Sequence, residues 1–266
     1  MQHESSMEKV GGSGVFCGLG NKTREENGRW WHTRKWLIQG GAWLALIDGM
    51  SLIALFQLRQ TEAGFTLNGF MTTYMGLMGW FVAFGIIILT QGDIVEEKQS
   101  GTAEWVLSSP LSRESFILSK LAVNLGWLLV VLVLVNGVVF NLVIGAVGVG
   151  SYPWINLASA LGLQGLALVF WLTLVLMLGT FFRTRNAVIG VPLIFLFTQT
   201  LIPTIVGPSG TWISLILPKT LSEYATYLVL GQALPSMVPI ASVAAASLIF
   251  VLLAILRFKR EEFKGS

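Results

Sequence analysis

Few residues of this sequence could do chemistry, and they fall in two places. One is Asp48, a lone carboxylate inside a long apolar stretch, and the other is a charged, Gly- and Pro-punctuated island from Gly92 to Lys120. No spacing of Cys, His, Asp or Glu fits a metal-ligand set, because His3 and His32 are isolated and Cys17 is the single cysteine. No nucleophile lies beside a base. We predict no catalytic residue, no metal site and no cofactor.

The chain is also predicted not to hydrolyse ATP itself. A phosphate-binding loop needs a lysine directly after the last glycine of a G-x-x-x-x-G-K-[ST] pattern. The segment that comes nearest to this pattern is Gly20-Asn21-Lys22-Thr23. It has an extra asparagine between the glycine and the lysine, and no strand precedes the segment.

The composition indicates an all-α, polytopic membrane protein. Of the 266 residues, 54% are hydrophobic and 12% are charged, and no charged residue occurs from Leu121 to Phe182. A hydrocarbon core of roughly 30 Å requires about 20 apolar residues per helix, so that stretch alone has room for two spans. The apolar runs are continuous rather than alternating, which favours helices over barrel strands. Six spans are predicted: Trp36–Gln57, Phe70–Gln91, Phe116–Val147, Trp154–Phe182, Val188–Val206 and Val238–Leu256.

The basic residues predict the orientation. Cytoplasmic loops carry an excess of Lys and Arg, and alternating the six spans puts fifteen of the 17 basic residues on one side. We therefore expect a multi-pass protein of the cell membrane with both termini in the cytoplasm. Because the basic residues lie close to span ends, a nucleic-acid site is disfavoured. The fifteen are Lys9, Lys22, Arg24, Arg29, Arg34, Lys35, Lys98, Arg113, Lys120, Arg183, Arg185, Arg257, Lys259, Arg260 and Lys264.

Outside the spans, three segments differ in composition. Residues 1–20 are small, polar and Gly-rich and are predicted to be a disordered tail, followed by a single membrane domain over 21–266. Residues 21–35 mix charges with two tryptophans before span one, which predicts a helix on the membrane surface; a loose basic anchor is the alternative. Residues 207–237 hold apolar pieces too short to span, interrupted by Pro and Gly, which predicts an outer-face helical hairpin, interfacial or re-entrant.

The charged island has the local signals of short helices leading into span three. Asp93 with Glu96 three residues on predicts a helix N-cap. Gly101 weakens that helix, and Thr102 is placed to cap a second short turn that carries Trp105 and Leu107. Pro110 ends this turn, and Ser112 is then predicted to cap the next helix, with Glu114 in its first turn.

The order of these features resembles the type-2 ABC transporter permease family, the membrane half of many bacterial ATP-driven exporters. The shared features are an acidic pair, Gly-Thr, a short apolar helix, Ser-Pro-Leu-Ser-Arg, a lysine opening span three, and the Arg257–Phe263 ending. Only Gly101-Thr102 is kept of the family's pattern at that point, since Gln99-Ser100 replaces the usual charged residue and glycine. The alternative is an ordinary solvated loop that caps span three.

The resemblance implies that region 92–115 contains a cytoplasmic coupling helix resting in a groove of a separate ABC ATPase subunit. It also implies that a second permease copy or paralogue completes the path, within the lipid bilayer. Rim carboxylates, Glu97 among them, would pair with basic residues of the ATPase. The implied coupling residues are Glu96, Glu97, Gly101, Thr102, Glu104, Trp105, Leu107 and Pro110.

Polar residues inside the spans are few. An ionised Asp48 midway along span one costs roughly 2.5–3.5 kcal/mol on insertion scales, so it either faces the translocation path or hydrogen-bonds a neighbouring helix. Ser51 shares its face. The resemblance makes Gln199 in span five a substrate contact. Asn136, Asn141 and Gln164 are predicted to join helices, and Gly40, Gly41, Gly76 and Gly79 to mark close packing.

The resulting expectation is a permease subunit that exports a substrate such as a drug, an antibiotic or a lipid. Within the same family, a permease for metalloenzyme maturation or surface assembly is an alternative. A passive channel or secondary carrier would need paired intramembrane charges, and an intramembrane enzyme would need a nucleophile or metal set at depth. Asp48 is the single intramembrane charge found.

Overall fold

The computed structural model describes residues 18–32, 35–60, 66–100, 112–148, 150–207 and 211–260, and these residues form helices, turns and short connections without a strand. Six helices among them are long and apolar enough to cross a membrane, which confirms the predicted number. These six are called spans one to six. They are Trp36–Gln57, Leu67–Gln99, Arg113–Ala146, Trp154–Phe181, Arg185–Ile202 and Val238–Lys259.

Four shorter helices flank the spans or occur at their ends. The N-terminal helix, Leu19–His32, begins two residues before the predicted segment and inside the predicted tail, while its place on the membrane surface stays a prediction. Val95–Gln99, the junction helix, follows the main helix of span two, Leu67–Thr90. The first hairpin helix, Thr211–Leu215, and the second hairpin helix, Lys219–Val229, connect spans five and six. Residues 1–17 of the predicted tail lie outside the described residues.

Spans one and three each contain one stretch of π-helix, which the sequence pattern did not predict. In span one, Ala45–Gly49 separates the helices Lys35–Leu44 and Met50–Gln60. In span three, Leu129–Leu134 separates Arg113–Leu128 from Val135–Ala146. Both stretches pack against span two. Such π-bulges occur often at functional sites, and Asp48 lies in the first of them.

Span four is the centre of the bundle. In its most apolar stretch 72% of the residues are buried, against 22% in spans one, five and six. It packs against span six, the second hairpin helix and span two. The peripheral spans carry exposed apolar side chains such as Ile53, Ile194 and Leu248, the surface that a bilayer or a partner helix would cover.

The chain direction alternates, so the bundle has two ends. The N-terminal helix, the junction helix, the start of span three and the close of span six lie at one end, called the junction end. The turn after span three and the hairpin helices belong to the opposite end, called the hairpin end. There Tyr152 donates its phenol hydrogen to the Leu67 carbonyl at 3.3 Å, and burial raises the pKa of Tyr152, which keeps the phenol protonated.

Candidate functional site

A network of buried charges lies at the junction end and joins three elements. The Lys120 ammonium of span three is 2.8 Å from a Glu97 carboxylate oxygen of the junction helix and 3.4 Å from Glu26 of the N-terminal helix. Glu26 also lies 3.2 Å from Lys22. The side chains of Lys22, Lys120, Glu97 and Glu26 are between 4% and 13% exposed, so water screens these pairs little. We call these four residues the junction network.

Three further contacts strengthen the same junction. Asn124 of span three donates a hydrogen bond to the Asp93 carboxylate, just before the junction helix. The Trp127 indole donates to the Asn27 side-chain oxygen at 2.8 Å and stacks on Trp30, with ring centroids 6.0 Å apart. The N-terminal helix is thereby held against span three by charge, hydrogen bonding and aromatic packing.

The junction helix is also tied to the end of span four and to the connection that follows it. Lys98 donates to the Thr180 carbonyl at 3.0 Å, and Gln99 donates to the Arg183 carbonyl at 2.7 Å. Glu96 forms a 2.8 Å ion pair with Arg185, in which both side chains are about half exposed. The buried and the exposed carboxylates of this helix therefore bind opposite neighbours within the same chain.

The start of span three is bound to the end of span six. Arg113 donates to the carbonyls of Phe258 and Lys259 at 3.1 and 2.8 Å. Glu114 lies 2.6 Å from the Lys259 ammonium, and the Phe116 and Phe258 rings stack 5.1 Å apart and nearly parallel. The segments on both sides of residues 101–111 are thus anchored to other parts of the bundle.

The predicted coupling residues divide into two groups. Glu96 and Glu97 lie in the junction helix, and Glu97 is directed at Lys120 of its own chain rather than outward. The other six, Gly101, Thr102, Glu104, Trp105, Leu107 and Pro110, lie outside the described residues and stay predictions. The predicted N-cap role of Asp93 is wrong, because the cap position is Ile94 and Asp93 binds Asn124 instead. Ser112 caps span three as predicted, with its hydroxyl 3.0 Å from the Ser115 amide.

Asp48 lies at a helix–helix contact. Its side chain is 5% exposed and accepts a hydrogen bond from the Tyr74 hydroxyl of span two at 3.3 Å. Ser51 is fully buried on the same side and donates to the Ile47 carbonyl at 2.6 Å. The neighbouring-helix alternative is therefore present in the structure, and a role of Asp48 and Ser51 in a path stays a prediction.

This contact predicts different results for two substitutions. Tyr74→Phe keeps the ring stacked on Phe140 and removes the hydroxyl, so we expect the free energy of unfolding to fall by about 0.5–1.5 kcal/mol. Asp48→Asn keeps an acceptor and removes a carboxylate from the span, so we expect stability to be kept or raised. Thermal unfolding in mild detergent measures the stability of both variants. The double variant, measured in the same way, completes a double-mutant cycle. If Asp48→Asn abolished transport by the intact protein while its stability stayed unchanged, the path role of Asp48 would be favoured instead.

The other predicted intramembrane residues fall at different kinds of contact. Gln164 joins helices as predicted, since it donates to the Met75 carbonyl of span two at 3.0 Å. Asn136 does not, because it donates to the Val131 carbonyl of its own span, at the π-helical stretch. Asn141 forms two hydrogen bonds with the backbone of Tyr152, in the connection that follows span three. Its predicted helix-joining role is therefore also wrong. Gln199 is 3% exposed and accepts from the Lys219 amide at 3.2 Å.

Only one of the four glycines predicted to mark close packing has a close neighbour. A Cβ at Gly79 would lie 2.0 Å from the Ser222 hydroxyl oxygen, whereas a Cβ at Gly40, Gly41 or Gly76 would meet nothing within 4 Å.

Unpredicted close approaches occur at two other glycines, Gly137 against Leu161 and Gly85 against Leu132. Close packing between helices depends on the partner surface, which glycine spacing alone does not reveal.

Sequence reasoning did not predict the roles of Glu26, Lys22 and Tyr74. A weak signal existed for the first two, because a Lys–Glu pair spaced i, i+4 on a helix predicts mutual contact. No local signal could assign Lys120 to Glu26, since 94 residues separate them. Among the described residues, no three His, Cys, Asp or Glu side chains come together as a metal site.

Comparison with known proteins identifies a family without an assigned activity. The profile of a family described as a protein of unknown function (DUF2705) matches residues 41–263. The match covers spans two to six, the junction helix and all but the first five residues of span one. No curated protein matches the chain.

Proposed function

Since the chain belongs to the DUF2705 family, whose function is unknown, we propose its activity from the site: it is the permease subunit of an ATP-driven ABC exporter. It moves a substrate out of the cytoplasm, and a separate ATPase subunit supplies the energy. The proposal combines the resemblance of region 92–115 to the coupling segment of type-2 permeases with the geometry of the junction end. The junction end is the cytoplasmic end in this proposal, with both termini in the cytoplasm.

The observation that carries the proposal is the anchoring on both sides of residues 101–111. On one side, the junction helix is fixed to span three by Lys120, to the end of span four by Lys98 and to the following connection by Gln99. On the other side, Arg113 and Glu114 fix the start of span three to span six. A segment held in this way transmits a displacement to several spans together, which is what coupling to an ATPase requires.

The coupling residues then have distinct roles. Trp105 and Leu107 are apolar and dock in a groove of the ATPase, while Glu104 pairs with basic residues at its rim. Glu96 is about half exposed and is within reach of a partner. Glu97 acts internally, because its carboxylate holds Lys120 and so links the docked segment to span three. In this proposal Gly101 weakens the junction helix, Thr102 caps the docking turn and Pro110 ends it, and all three lie outside the described residues.

The cargo path is proposed to form between this chain and a second permease copy or paralogue. Asp48, Ser51 and Gln199 are its candidate residues in this chain. A drug, an antibiotic or a lipid is the proposed cargo, moving across the cell membrane. The chain supplies no catalytic group, and the chemistry of ATP hydrolysis belongs to the partner.

Copurification tests this proposal directly. We expect a tagged chain from native membranes to bring along an ATPase bearing a phosphate-binding loop, with measurable ATP hydrolysis. Trp105→Ala should lower ATPase recovery at least about tenfold, since buried aromatic anchors contribute 2 kcal/mol or more to an interface. The matched control is Trp212→Ala, which removes an exposed tryptophan at the hairpin end and should leave recovery unchanged.

One outcome would contradict the proposal as a whole, and another would contradict its docking step alone. An intact chain that purifies without any ATPase would favour a channel or carrier. An ATPase recovered equally with Trp105→Ala and with the unsubstituted chain would remove the docking role of that residue.

A further inference from the structure

A pocket lies between spans two, four and five and the second hairpin helix. Its volume is about 80 Å³. The walls combine two indoles with polar and charged side chains, chief among them Trp80, Trp171, Gln199, Lys219, Ser222 and Glu223. Gly76 and Gly79 of span two complete one wall and leave space that larger residues would fill.

The second hairpin helix reaches well into the bundle. Ser222 donates to the Gln164 side chain at 3.3 Å and lies against Gly79. Gly79 is twelve residues from Leu67, which at 1.5 Å per residue places it about 18 Å from the beginning of its helix. Gln164 is ten residues from Trp154, or about 15 Å from the start of span four. The start of this hairpin helix is therefore at the depth of the spans, which agrees with the re-entrant alternative.

A charged pair lines the pocket at this depth. The Lys219 ammonium lies 3.4 Å from a Glu223 carboxylate oxygen, one helical turn away. Yet the side chains remain 34% and 55% exposed. Charges within the hydrocarbon region cost several kcal/mol when they face lipid, and they are found facing protein or water-filled cavities. Two partly exposed charges beside this pocket therefore require water on their open side.

The pocket has the properties that ordered water needs. A single water requires roughly 10–15 Å³ of such volume and two to four polar partners, so about 80 Å³ holds several. Gln199, Lys219, Ser222 and Glu223 supply donors and acceptors along the same wall. These groups already pair with one another or with Gln164, and their remaining donor and acceptor capacity is open to water.

We propose that this pocket is a water-filled site within the spanning bundle, continuous with the aqueous phase at the hairpin end and able to admit small polar solutes. Lys219 and Glu223 form its exposed wall, and the buried side chains of Gln199 and Ser222 form its floor. The proposal does not depend on an ATPase or on the exporter activity. It assigns the second hairpin helix a solvent-lining role that the exporter proposal leaves open.

Thiol accessibility tests the proposal, because the chain has a single native cysteine. In a Cys17→Ala background, Lys219→Cys and Glu223→Cys are each treated with a charged, membrane-impermeant methanethiosulfonate. Opened membrane sheets expose both faces, so the result does not depend on orientation. We expect both thiols to react within about tenfold of Gln232→Cys, an exposed position after this helix, since thiolate formation requires hydration.

The matched controls lie close to the pocket but face elsewhere. Ile194→Cys is on an exposed apolar face of span five and does not line the pocket, so it should react at least about a hundredfold more slowly. Tyr227→Cys, one turn beyond Glu223 and 38% exposed, keeps the charged pair intact and does not line the pocket, so it shows whether the reagent reaches the exposed face of this helix. Thiols at 219 and 223 that react as slowly as the one at 194, while the one at 232 reacts, would overturn the proposal.

Discussion

Lys120→Met is expected to destabilise the protein more than any other single charge removal at the junction end. The substitution takes away the ammonium that lies 2.8 Å from Glu97 and 3.4 Å from Glu26, in a site where Lys120 is 5% exposed. Breaking a buried ion pair by removing one partner costs about 3–5 kcal/mol, because a buried charge loses its compensation. Thermal unfolding in mild detergent should show this as a melting temperature lower by roughly 10 °C.

The matched control for this prediction is Arg185→Met. Arg185 also lies 2.8 Å from a carboxylate of the junction helix, that of Glu96, but both side chains are about half exposed. Exposed pairs contribute at most about 1 kcal/mol, so the two variants differ in burial rather than in the kind of contact. Equal losses in both variants would contradict the structure of the junction network.

A double variant separates lost pairing from lost packing. Lys120→Met with Glu97→Gln removes the charge on both sides of the shortest contact, so we expect it to be less destabilised than Lys120→Met alone. The same variants bear on coupling. If the junction network links the docked segment to span three, Lys120→Met should lower ATPase stimulation by cargo in the protein that still folds, while Arg185→Met should not.

The spans were predictable because their signal is local and strong. A continuous apolar run indicates a lipid environment directly. The observed ends of the spans lie within a few residues of the predicted ones, except where span two continues into the junction helix. Ser112 was predictable for the same reason, since a cap acts on an amide three residues away. The two short helices between spans five and six also followed from apolar segments too short to cross.

The partners of polar residues were not predictable, because they depend on which helices become neighbours. Asp93 has the local signature of a cap, but the Asn124 amide competes for its carboxylate from another span. Asn136 looked like an interhelical contact, but a π-helical stretch in its own span presents the Val131 carbonyl to it. The hydropathy pattern cannot distinguish the possible hydrogen-bond partners of Asp93 or of Asn136, since each residue is buried with either partner.

Gly79→Ala is expected to displace the second hairpin helix from the bundle. A Cβ at this position would lie 2.0 Å from the Ser222 oxygen and 3.0 Å from its Cβ, so rotation of the hydroxyl alone cannot relieve the contact. Overpacking of this kind costs about 1–3 kcal/mol. We expect a lower melting temperature and weaker protection of the 219–229 amides in hydrogen exchange, because the second hairpin helix no longer packs closely against span two.

The same wall of span two provides the control. Gly76→Ala adds the same methyl group to the same helix and pocket, and nothing lies within 4 Å of it, so stability should be kept or slightly raised. Adding Ser222→Ala to Gly79→Ala removes the nearest oxygen and should recover part of the loss, while the Cβ contact remains. If Gly76→Ala and Gly79→Ala behave alike, the second hairpin helix does not pack at the depth of the spans. The water-filled pocket beside it would then lose its floor.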